Sequence, residues 1–200
     1  FDTPATRIII DTPDKENATI VARFDFAQNK NDPETDAMLL ANWIFGGSSG
    51  LSNRLMLRLR QKDGLSYGAG SSVNIPAFGN DASWTMQAIL APQNLRKAEI
   101  ALYEEIDRVL KEGFTQEELD EAKKGFIEYR AVNRSQDNLI AYHWVQMMNE
   151  GVDWTEAQDR DETVRNLTLE EVNNAFRKMV DRNGLTVVLA GDQKKAMTQE

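Results

Sequence analysis

The sequence predicts an α+β fold in which a mostly antiparallel sheet carries helices on one face. Two pairs of strand-like segments flank two helical segments in the first half, and the stretch from Thr115 to Val180 is helical throughout. A short apolar strand, Leu185–Ala190, follows these helices and ends the fold. Strands and helices that occur in separate runs are typical of α+β domains. We interpret residues 1–200 as a single domain, because this length is enough to bury a core.

The first two strands are predicted in Thr6–Ile10 and Ala18–Phe26, which are rich in β-branched and aromatic residues. The polar segment Asp11–Asn17 lies between them, so we interpret the region as a pair of strands joined by a turn. Alternation in the second strand predicts one apolar face, formed by Ile20, Ala22, Phe24 and Phe26.

Two helices are predicted next. Asp32 and Pro33 indicate the start of the first, as N-cap and first helical position, and the pair Gly46-Gly47 indicates its end. Its apolar residues at helical spacing are Ala37, Leu40, Ala41 and Ile44, and Met38, Leu39, Trp43 and Phe45 widen that surface. We therefore expect this helix to be buried on more than one side. The second, shorter helix has a core stripe of Leu51, Leu55 and Leu59.

The middle of the chain predicts two strands and a long helix. Leu65–Ile75 and Asp81–Ala91 are the strands, and the segment from Pro76 to Asn80 is the turn between them. Pro92 begins the helix and Gly113 ends it. The stripe expected to face the core consists of Leu95, Ala98, Leu102, Ile106 and Val109.

Capping signals divide the helical second half. Thr115 with Glu118, and Thr168 with Glu171, have the spacing of a capping box, in which each side chain bonds the other residue's backbone N–H. Asp153 and Glu156 have the same spacing with an aspartate cap. The acidic runs Glu117–Glu121 and Asp159–Glu162 are interpreted as solvated helix faces.

Composition excludes several functions. The net charge of −9 argues against a nucleic-acid-binding surface, and no apolar run approaches the roughly 18 residues of a membrane span. The chain has no cysteine, which excludes disulfides and thiolate metal sites. It begins with Phe1 and has no signal peptide, so we expect a fragment or processed chain with any targeting signal upstream.

The candidate site lies in the stretch from Gly46 to Gly68, GGSSGLSNRLMLRLRQKDGLSYG, on the side chains of Arg60 and Tyr67. A guanidinium and a phenol are donors that hold carbonyl or oxyanion oxygens in proteins. Gly64 lies between them and can adopt a positive φ, which would end the helix and turn the chain into the next strand. Such a turn would bring Arg60 and Tyr67 to one place.

This stretch resembles the pitrilysin/insulinase family of zinc metalloproteases, whose relatives include the mitochondrial processing peptidase. The resemblance rests on three strings: Phe45-Gly46-Gly47, Asn53-Arg54-Leu55 and Leu59-Arg60-Gln61-Lys62-Asp63-Gly64-Leu65-Ser66-Tyr67. Phe45 stands where the family usually has leucine, and Asn53 where it usually has serine. The rest of the chain, including the segment from Thr115 to Lys123, resembles the family more weakly.

The resemblance implies a carboxy-terminal domain with the LuxS/processing-peptidase-like fold, in which Arg60 and Tyr67 reach into a cavity and hold the substrate. It implies that this chain is the non-zinc-binding half of a zinc metalloendopeptidase and is inactive alone. The implied partners are a peptide or protein substrate and the zinc-carrying domain or subunit. A bacterial periplasmic or extracytoplasmic location is likewise implied by resemblance alone.

Zinc is expected in a domain outside this chain. The family binds zinc with His-x-x-Glu-His plus a distal glutamate, with the motif's glutamate acting as base. This sequence has one histidine, His143, and no Glu-His pair. His143 stands between Tyr142 and Trp144, so we interpret it as a structural residue.

Alternative interpretations remain open. Some members of the family have lost the metal site and serve as structural or partner subunits, as in respiratory-complex core proteins. Gly46-Gly47-Ser48-Ser49-Gly50 also matches the nucleophile elbow of serine hydrolases, with Ser48 as nucleophile and His143 as the one possible base.

The residues of the candidate site also have structural interpretations. Arg60 could be a solvated arginine, as we expect for Arg54 and Arg58. Tyr67 could be a core tyrosine, because strict alternation would give it the same strand face as Leu65, Ala69 and Val73.

Overall fold

The computed structural model describes residues 4–48 and 52–197. In this part of the chain the strands are β1 (Arg7–Asp11), β2 (Ala18–Ala27), β3 (Ser66–Asn74), β4 (Asp81–Leu90) and β5 (Thr186–Gly191). The helices are α1 (Thr35–Asn42), α2 (Arg54–Met56), α3 (Leu95–Glu112), α4 (Gln116–Asn133), α5 (Asp137–Glu150), α6 (Trp154–Asn166), α7 (Leu169–Met179) and α8 (Gln193–Ala196). Two π-helical turns, Trp43–Gly47 and Leu57–Lys62, continue α1 and α2, and short 3₁₀ turns precede α3 and β5.

The strands form one five-stranded sheet in the order β1-β5-β2-β4-β3. Every neighbouring pair is antiparallel except β1 and β5, which are parallel. The predicted α+β class with a mostly antiparallel sheet is confirmed.

The prediction that the first two strands pair is wrong, because β5 lies between them. Val188 of β5 is opposite Ile8 of β1 on one side and Val21 of β2 on the other. The segment from Asp11 to Asn17 therefore crosses the end of β5, and the N–H of Thr12 donates to the carbonyl of Gly191 at 2.9 Å. A loop of this length can cross a strand, whereas hairpin loops most often have two to five residues.

The core lies between one face of the sheet and the helices. An aromatic cluster of Phe45, Trp84, Phe114 and Phe176 fills its centre, with ring centroids 5.2–5.8 Å apart. The predicted stripe of α3 is buried throughout, and in β2 the predicted apolar face is buried except for Phe24, which is half-buried. α1 is buried on more than one side as predicted, because both Met38 and Phe45 are 0% exposed.

The other face of the sheet is accessible. Ile8 and Ile10 of β1 are 43% and 46% exposed, and Ile89 of β4 is 49% exposed. Across the sheet, Ile10 is opposite Ala190, Ala190 is opposite Thr19, and Thr19 is opposite Ile89. These side chains therefore form a row. The helices are therefore packed on one face, as predicted.

The capping signals are confirmed at both threonines. Thr115 and Thr168 each accept the backbone N–H of a glutamate three residues later, and each glutamate accepts the threonine N–H in return. Asp153 is an N-cap as predicted, but it accepts the N–H of Thr155 at 2.8 Å and forms no box with Glu156, whose carboxylate binds Arg160 instead.

The predicted start of α1 is displaced. Asp32 accepts the N–H of Asn29 at 2.8 Å, and its carbonyl accepts the N–H of Thr35 at 3.1 Å. These bonds hold Asp32 and Pro33 in a turn, so the helix begins at Thr35.

The two π-helical turns lie against β3. Leu55 and Leu59 are 0% exposed, which confirms that part of the predicted stripe, and Leu51 lies outside the described residues. A Cβ at Gly46 would lie 2.9 Å from the backbone nitrogen of Ser71, so only glycine permits this approach of the first turn to the strand. Among the described helices, none is long and apolar enough to cross a membrane.

Candidate functional site

The turn between Arg60 and Tyr67 is closed by backbone bonds around a left-handed glycine. Arg60 lies in the π-helical turn Leu57–Lys62, and the N–H of Asp63 donates to the carbonyl of Arg58 at 3.1 Å. Gly64 has φ +62°, as the sequence predicts, and the N–H of Leu65 returns to the carbonyl of Leu59 at 2.8 Å. The chain therefore reverses within a few residues and enters β3 at Ser66.

Tyr67 is the extra residue of a β-bulge. Ser66 is opposite Leu90 and Gly68 is opposite Ile89, so no residue of β4 is left for Tyr67. The hydroxyl of Ser66 stabilises the bulge, because it accepts the N–H of Gly68 at 3.1 Å and lies 2.8 Å from the carbonyls of both Gly68 and Ile89, to one of which it donates.

The bulge places Tyr67 on the accessible face of the sheet. Its side chain is 62% exposed, whereas Ala69 and Val73 pack against the core. The interpretation of Tyr67 as a core tyrosine is therefore wrong. An extra residue shifts the alternation of a strand by one, and bulges re-aim side chains in this way.

Arg60 is also exposed. Within the described part of the chain, neither its guanidinium nor the phenol of Tyr67 has a hydrogen bond or an ion pair. The two exposed side chains, which together carry five N–H donors and one O–H donor, thus lie on the two sides of one turn. Such a pair can bind a carbonyl, a carboxylate or an oxyanion.

Arg54 differs from the prediction of a solvated residue. Its side chain is 11% exposed, and its guanidinium binds the Glu118 carboxylate through both Nε and Nη2, the latter at 2.7 Å. It also lies 3.5 Å from Glu105, which is 1% exposed. Two carboxylates offset the cost of burying this cation, which ties α2 to α3 and α4.

The electrostatics of this cluster follow from these contacts. Burial alone would raise the pKa of Glu118, but hydrogen bonds from Arg54 and Thr115 outweigh it and leave that pKa below its ordinary value of 4.5. The predicted solvated face Glu117–Glu121 is therefore interrupted by Glu118. Asp161 likewise departs from the second predicted face, since it is 6% exposed and holds both Arg130 and Arg134 at 2.5 Å.

Arg58 is paired as well. It is 19% exposed and contacts Asp63 at 2.8 Å and Glu104 at 2.5 Å. Of the three arginines in the segment from Arg54 to Arg60, only Arg60 has no partner among the described residues. The difference is hard to predict from local sequence, because Glu118 lies 64 residues after Arg54 and Glu104 lies 46 residues after Arg58, and only Asp63 is a near neighbour of Arg58.

The structure does not support the context of a nucleophile elbow at Ser48. The residues before it form the π-helical turn Trp43–Gly47, where the elbow needs a strand, and Ser49 and Gly50 lie outside the described residues. The side-chain amide of Asn53 donates to the carbonyl of Ser48 at 3.1 Å. Ser48 lines one cleft, and His143 lines a different cavity.

His143 is half-buried and lies at the wall of that second cavity, so it is not a core residue. Among the described residues, no three His, Asp or Glu side chains are placed to hold a metal ion. The donor set of this part of the chain therefore does not fit zinc.

Comparison with known families identifies the fold. The model of the family described as "Peptidase M16 inactive domain" matches residues 2–126. The chain belongs to this family. Its membership confirms the resemblance to the pitrilysin/insulinase peptidases, and the family itself is described as an inactive domain.

Individual relatives agree with this assignment. The chain is 27% identical over 157 residues to the "non-peptidase homolog YmxG" of Helicobacter pylori, a match covering 76% of this chain and 34% of that protein. A peptidase M16 inactive domain from Pseudomonas fluorescens superimposes with a TM-score of 0.81 at 23% identity, over 94% of this chain and 44% of that one. The periplasmic protease PqqL of Escherichia coli gives 0.75 at 14% identity, over 94% and 20%.

These coverages limit what the comparisons establish. The two solved structures show the fold alone. The chain spans about a third of the length of its curated relative and less than half of the Pseudomonas chain. The M16 inactive domain described here therefore corresponds to one part of longer relatives.

Proposed function

We propose that residues 1–200 form the substrate-binding, non-zinc-binding domain of a larger pitrilysin/insulinase-type zinc endopeptidase. In this proposal the domain closes the catalytic cavity, and Arg60 and Tyr67 bind a substrate carbonyl and stabilise the oxyanion that develops from it. The observation that carries the proposal is the pair of exposed donors without described partners on the two sides of the Gly64 turn.

The neighbours of Arg60 support a binding role. Arg54 and Arg58, on the same short helix, are both engaged by carboxylates of the fold. An arginine left unpaired at the end of such a helix is available for a ligand, and its planar fork suits carbonyl and carboxylate oxygens.

The bulge supports a role for Tyr67 as well. Alternation counted back from Ala69 without a bulge would turn this phenol toward the core. The Ser66 hydroxyl stabilises the bulge, which places the phenol on the accessible face instead. Bulges are over-represented next to active sites because they re-aim a side chain. Tyr67 adjoins Gly68, which is opposite Ile89, so it extends the Ile10–Ile89 row on the accessible face of the sheet. This face would form one wall of the cavity.

We assign zinc to a domain or subunit outside this chain, because the residues described here do not fit it. The catalytic base would come from that partner as well. Arg60 and Tyr67 would then act only on the substrate oxygen, where charge builds up in the transition state. An extracytoplasmic location follows the same proposal and is supported by the periplasmic PqqL.

The test uses the full-length or reassembled enzyme with Arg60→Ala and Tyr67→Phe. Each variant should lower kcat by roughly 10²- to 10³-fold, as expected for one oxyanion donor, with unchanged zinc content and melting temperature. Tyr142→Phe is the matched control, since Tyr142 is 61% exposed and Tyr67 is 62% exposed. Arg165→Ala is the control for Arg60.

Two results would contradict the proposal in different ways. A higher KM with kcat nearly unchanged would show that the pair grips the ground-state peptide and leaves the oxyanion alone. Near-normal turnover in both variants would mean that Arg60 and Tyr67 are ordinary surface residues with no role in catalysis.

A second candidate is a catalytically inactive partner subunit, and the name of the Helicobacter relative favours it. In that case Arg60 and Tyr67 would contact a partner protein. The parent sequence separates the two candidates, because a peptidase needs His-x-x-Glu-His in its other domain. For a partner subunit, the two variants would weaken assembly, measured by co-purification, and would leave the turnover per assembled complex unchanged.

A further inference from the structure

Within the described residues, the sheet has one open edge. Its outer strands are β1 and β3, and the edge of β3 is covered by the helical segments before it. The N–H of Ala69 donates to Sδ of Met56 at 3.2 Å, and the side-chain amide of Asn42 donates to the carbonyl of Ser71 at 3.5 Å. The outer side of β1 has no such cover in the described part of the chain, and all five of its residues are exposed. We call this side the β1 edge.

The backbone groups of β1 point alternately to β5 and to the β1 edge. The carbonyl of Thr6 accepts the N–H of Val187 at 2.8 Å, and the N–H of Thr12 donates to the carbonyl of Gly191 at 2.9 Å. Because successive residues of a strand direct their N–H and C=O groups to opposite sides, the even-numbered residues of β1 bond β5. The odd-numbered residues therefore present both backbone groups at the β1 edge.

The odd-numbered residues are Arg7, Ile9 and Asp11, which place opposite charges symmetrically about an apolar centre. When a second β1 runs antiparallel with Ile9 opposite Ile9, Arg7 of each copy is opposite Asp11 of the other. All the outward N–H and C=O groups of these residues then lie in hydrogen-bonded pairs. The neighbouring registers place Ile9 opposite Arg7 or Asp11 and lose both charge pairs. The sequence of β1 is thus complementary to itself in one register.

The same register brings apolar side chains together on both faces of the sheet. Ile8 and Ile10 are 43% and 46% exposed on the accessible face, and each would lie opposite the other residue of the second copy. Ile9 is 50% exposed on the other face and would meet its own copy. Side chains directly opposite each other are close enough to pack. An exposed apolar edge of this kind is a template for pairing with another strand.

The charged side chains are anchored in the fold and keep a free group each. Nε and Nη2 of Arg7 donate to the Glu99 carboxylate at 2.7 and 2.8 Å, and Nη1 has no hydrogen bond within the described residues. Oδ1 of Asp11 accepts the N–H of Gln193 at 3.0 Å, and Oδ2 is likewise unbonded there. Nη1 and Oδ2 can therefore pair between copies while these contacts remain. Exposed ion pairs add little affinity, so their main effect would be to fix the register.

We propose that the β1 edge is a homodimer interface, in which the β1 strands of two copies pair antiparallel about a two-fold axis at Ile9. The pairing joins the two five-stranded sheets into one and keeps both accessible faces on the same side. A contact of this symmetry is closed, so it uses the open edge of each copy and forms a dimer instead of a filament. The contact is small, and we expect a dissociation constant of about 10–100 µM. It uses no group of the Arg60 and Tyr67 turn, so it stands independently of the function proposed above.

Cysteine cross-linking tests the register. The chain has no cysteine, so one introduced thiol can link only two copies. Ile9→Cys should form a disulfide dimer with glutathione disulfide as oxidant, because hydrogen-bonded antiparallel pairs have Cα atoms about 5.5 Å apart. Ile8→Cys is the matched control and should stay monomeric, since its own copy lies diagonally at about 7–8 Å, beyond the reach of a disulfide. A mixture of Ile8→Cys and Ile10→Cys should link again.

Charge variants test the Arg7–Asp11 pairs. Arg7→Glu leaves two acidic residues on the β1 edge and Asp11→Lys leaves two basic ones, so each variant alone should dimerise about tenfold more weakly than wild type, or worse. An equimolar mixture should dimerise again, because opposite charges then face each other at both ends. Ile9→Lys should abolish the dimer, and Ile89→Lys is its control, since Ile89 is 49% exposed on β4 away from this edge. Sedimentation velocity of the full-length parent and of the 200-residue chain measures these effects.

Four outcomes would overturn the proposal. They are a monomer up to about millimolar concentration, equal cross-linking of Ile8→Cys and Ile9→Cys, a dimer that Ile9→Lys does not weaken, and a mixture of well-folded charge variants that stays monomeric. A dimeric 200-residue chain with a monomeric parent would show that another segment of the parent occupies the β1 edge, which also excludes a second copy. If Arg7→Glu lowers the melting temperature through the loss of its contact with Glu99, cross-linking at Ile9 decides alone.

Discussion

Arg54 and Arg60 lie six positions apart on the same short helical segment and have opposite environments. The side chain of Arg54 is 11% exposed and is held by Glu118 and Glu105. Arg60 is exposed and has no partner among the described residues. The comparison teaches that residue type and proximity in sequence do not separate a structural arginine from one that is available to a ligand.

Helix geometry explains the difference. An α-helix turns by about 100° per residue and a π-helix turns by less, so two positions six apart on this segment point to different sides. Leu55 and Leu59 form the buried stripe between them, so the two arginines flank the core contact on opposite sides. One side of the stripe meets the start of α4, where Glu118 lies, and the other side meets the open turn at Gly64.

The largest expected effect in this comparison is that of Arg54→Met on stability. The variant leaves Glu118 without its cation, whereas the buried Glu105 keeps Arg108 at 2.6 Å, and it should lower the free energy of unfolding by about 3 kcal/mol. Arg60→Met removes an exposed charge and should change it by less than about 0.5 kcal/mol. Urea denaturation of both variants measures the difference. Equal midpoints for the two would refute the distinction drawn here.

The next effect is on the pH dependence of stability. Because contacts with Arg54 and Thr115 lower the pKa of Glu118 in the folded state, the folded protein holds this proton less tightly than the unfolded chain does. The stability that Glu118 contributes is present above its ordinary pKa of 4.5 and is lost as the pH falls through the lower folded pKa. Unfolding free energies measured from pH 6 to pH 3 should fall less steeply in Glu118→Gln than in wild type. Identical slopes would show that Glu118 titrates normally. Glu170→Gln, a first-turn glutamate of α7, is the control.

Much of this fold could be predicted from local patterns. The stripe of α3 and the two threonine caps follow from the spacing of a few neighbouring residues, and the structure confirms them. The turn at Gly64 was also predictable, because its positive φ depends on one residue. These features are fixed by short-range geometry, which the sequence displays directly.

The rest depends on contacts between distant segments. β5 lies between β1 and β2, so it pairs with residues up to about 180 positions away in the sequence. Alternation within one strand gives no information about which strands lie beside it. The bulge at Tyr67 depends on the partner strand β4, and the burial of Arg54 depends on Glu118 in α4. The prediction of Arg60 and Tyr67 as site residues rests on the family resemblance, whereas alternation alone would place Tyr67 on the core face of the strand.

A smaller effect is expected at the turn itself. Gly64→Ala places a Cβ on a residue with φ +62° and should destabilise the protein by about 1 to 2 kcal/mol, although that Cβ would meet no atom within 4 Å. Gly64→Asn is the control, because asparagine tolerates this conformation better, and it should cost less. If alanine and asparagine cost the same, the loss comes from something other than backbone strain. Thermal denaturation distinguishes the two variants.

The smallest effect is a coupling between the buried arginine and the cap of α4. The Thr115 hydroxyl and the Arg54 guanidinium both donate to the Glu118 carboxylate, at 3.1 Å and 2.7 Å through Oε2. Thr115→Ala should cost about 1 kcal/mol alone, and in the Arg54→Met background its cost should change by about 0.5 kcal/mol or more, since contacting residues are not additive. Thr168→Ala provides the matched cap, because its partner Glu171 binds Thr168 and no arginine among the described residues. Its cost should be the same with and without Arg54. A double-mutant cycle by urea denaturation measures both couplings. Two equal couplings would mean that Glu118 does not link the cap to the arginine.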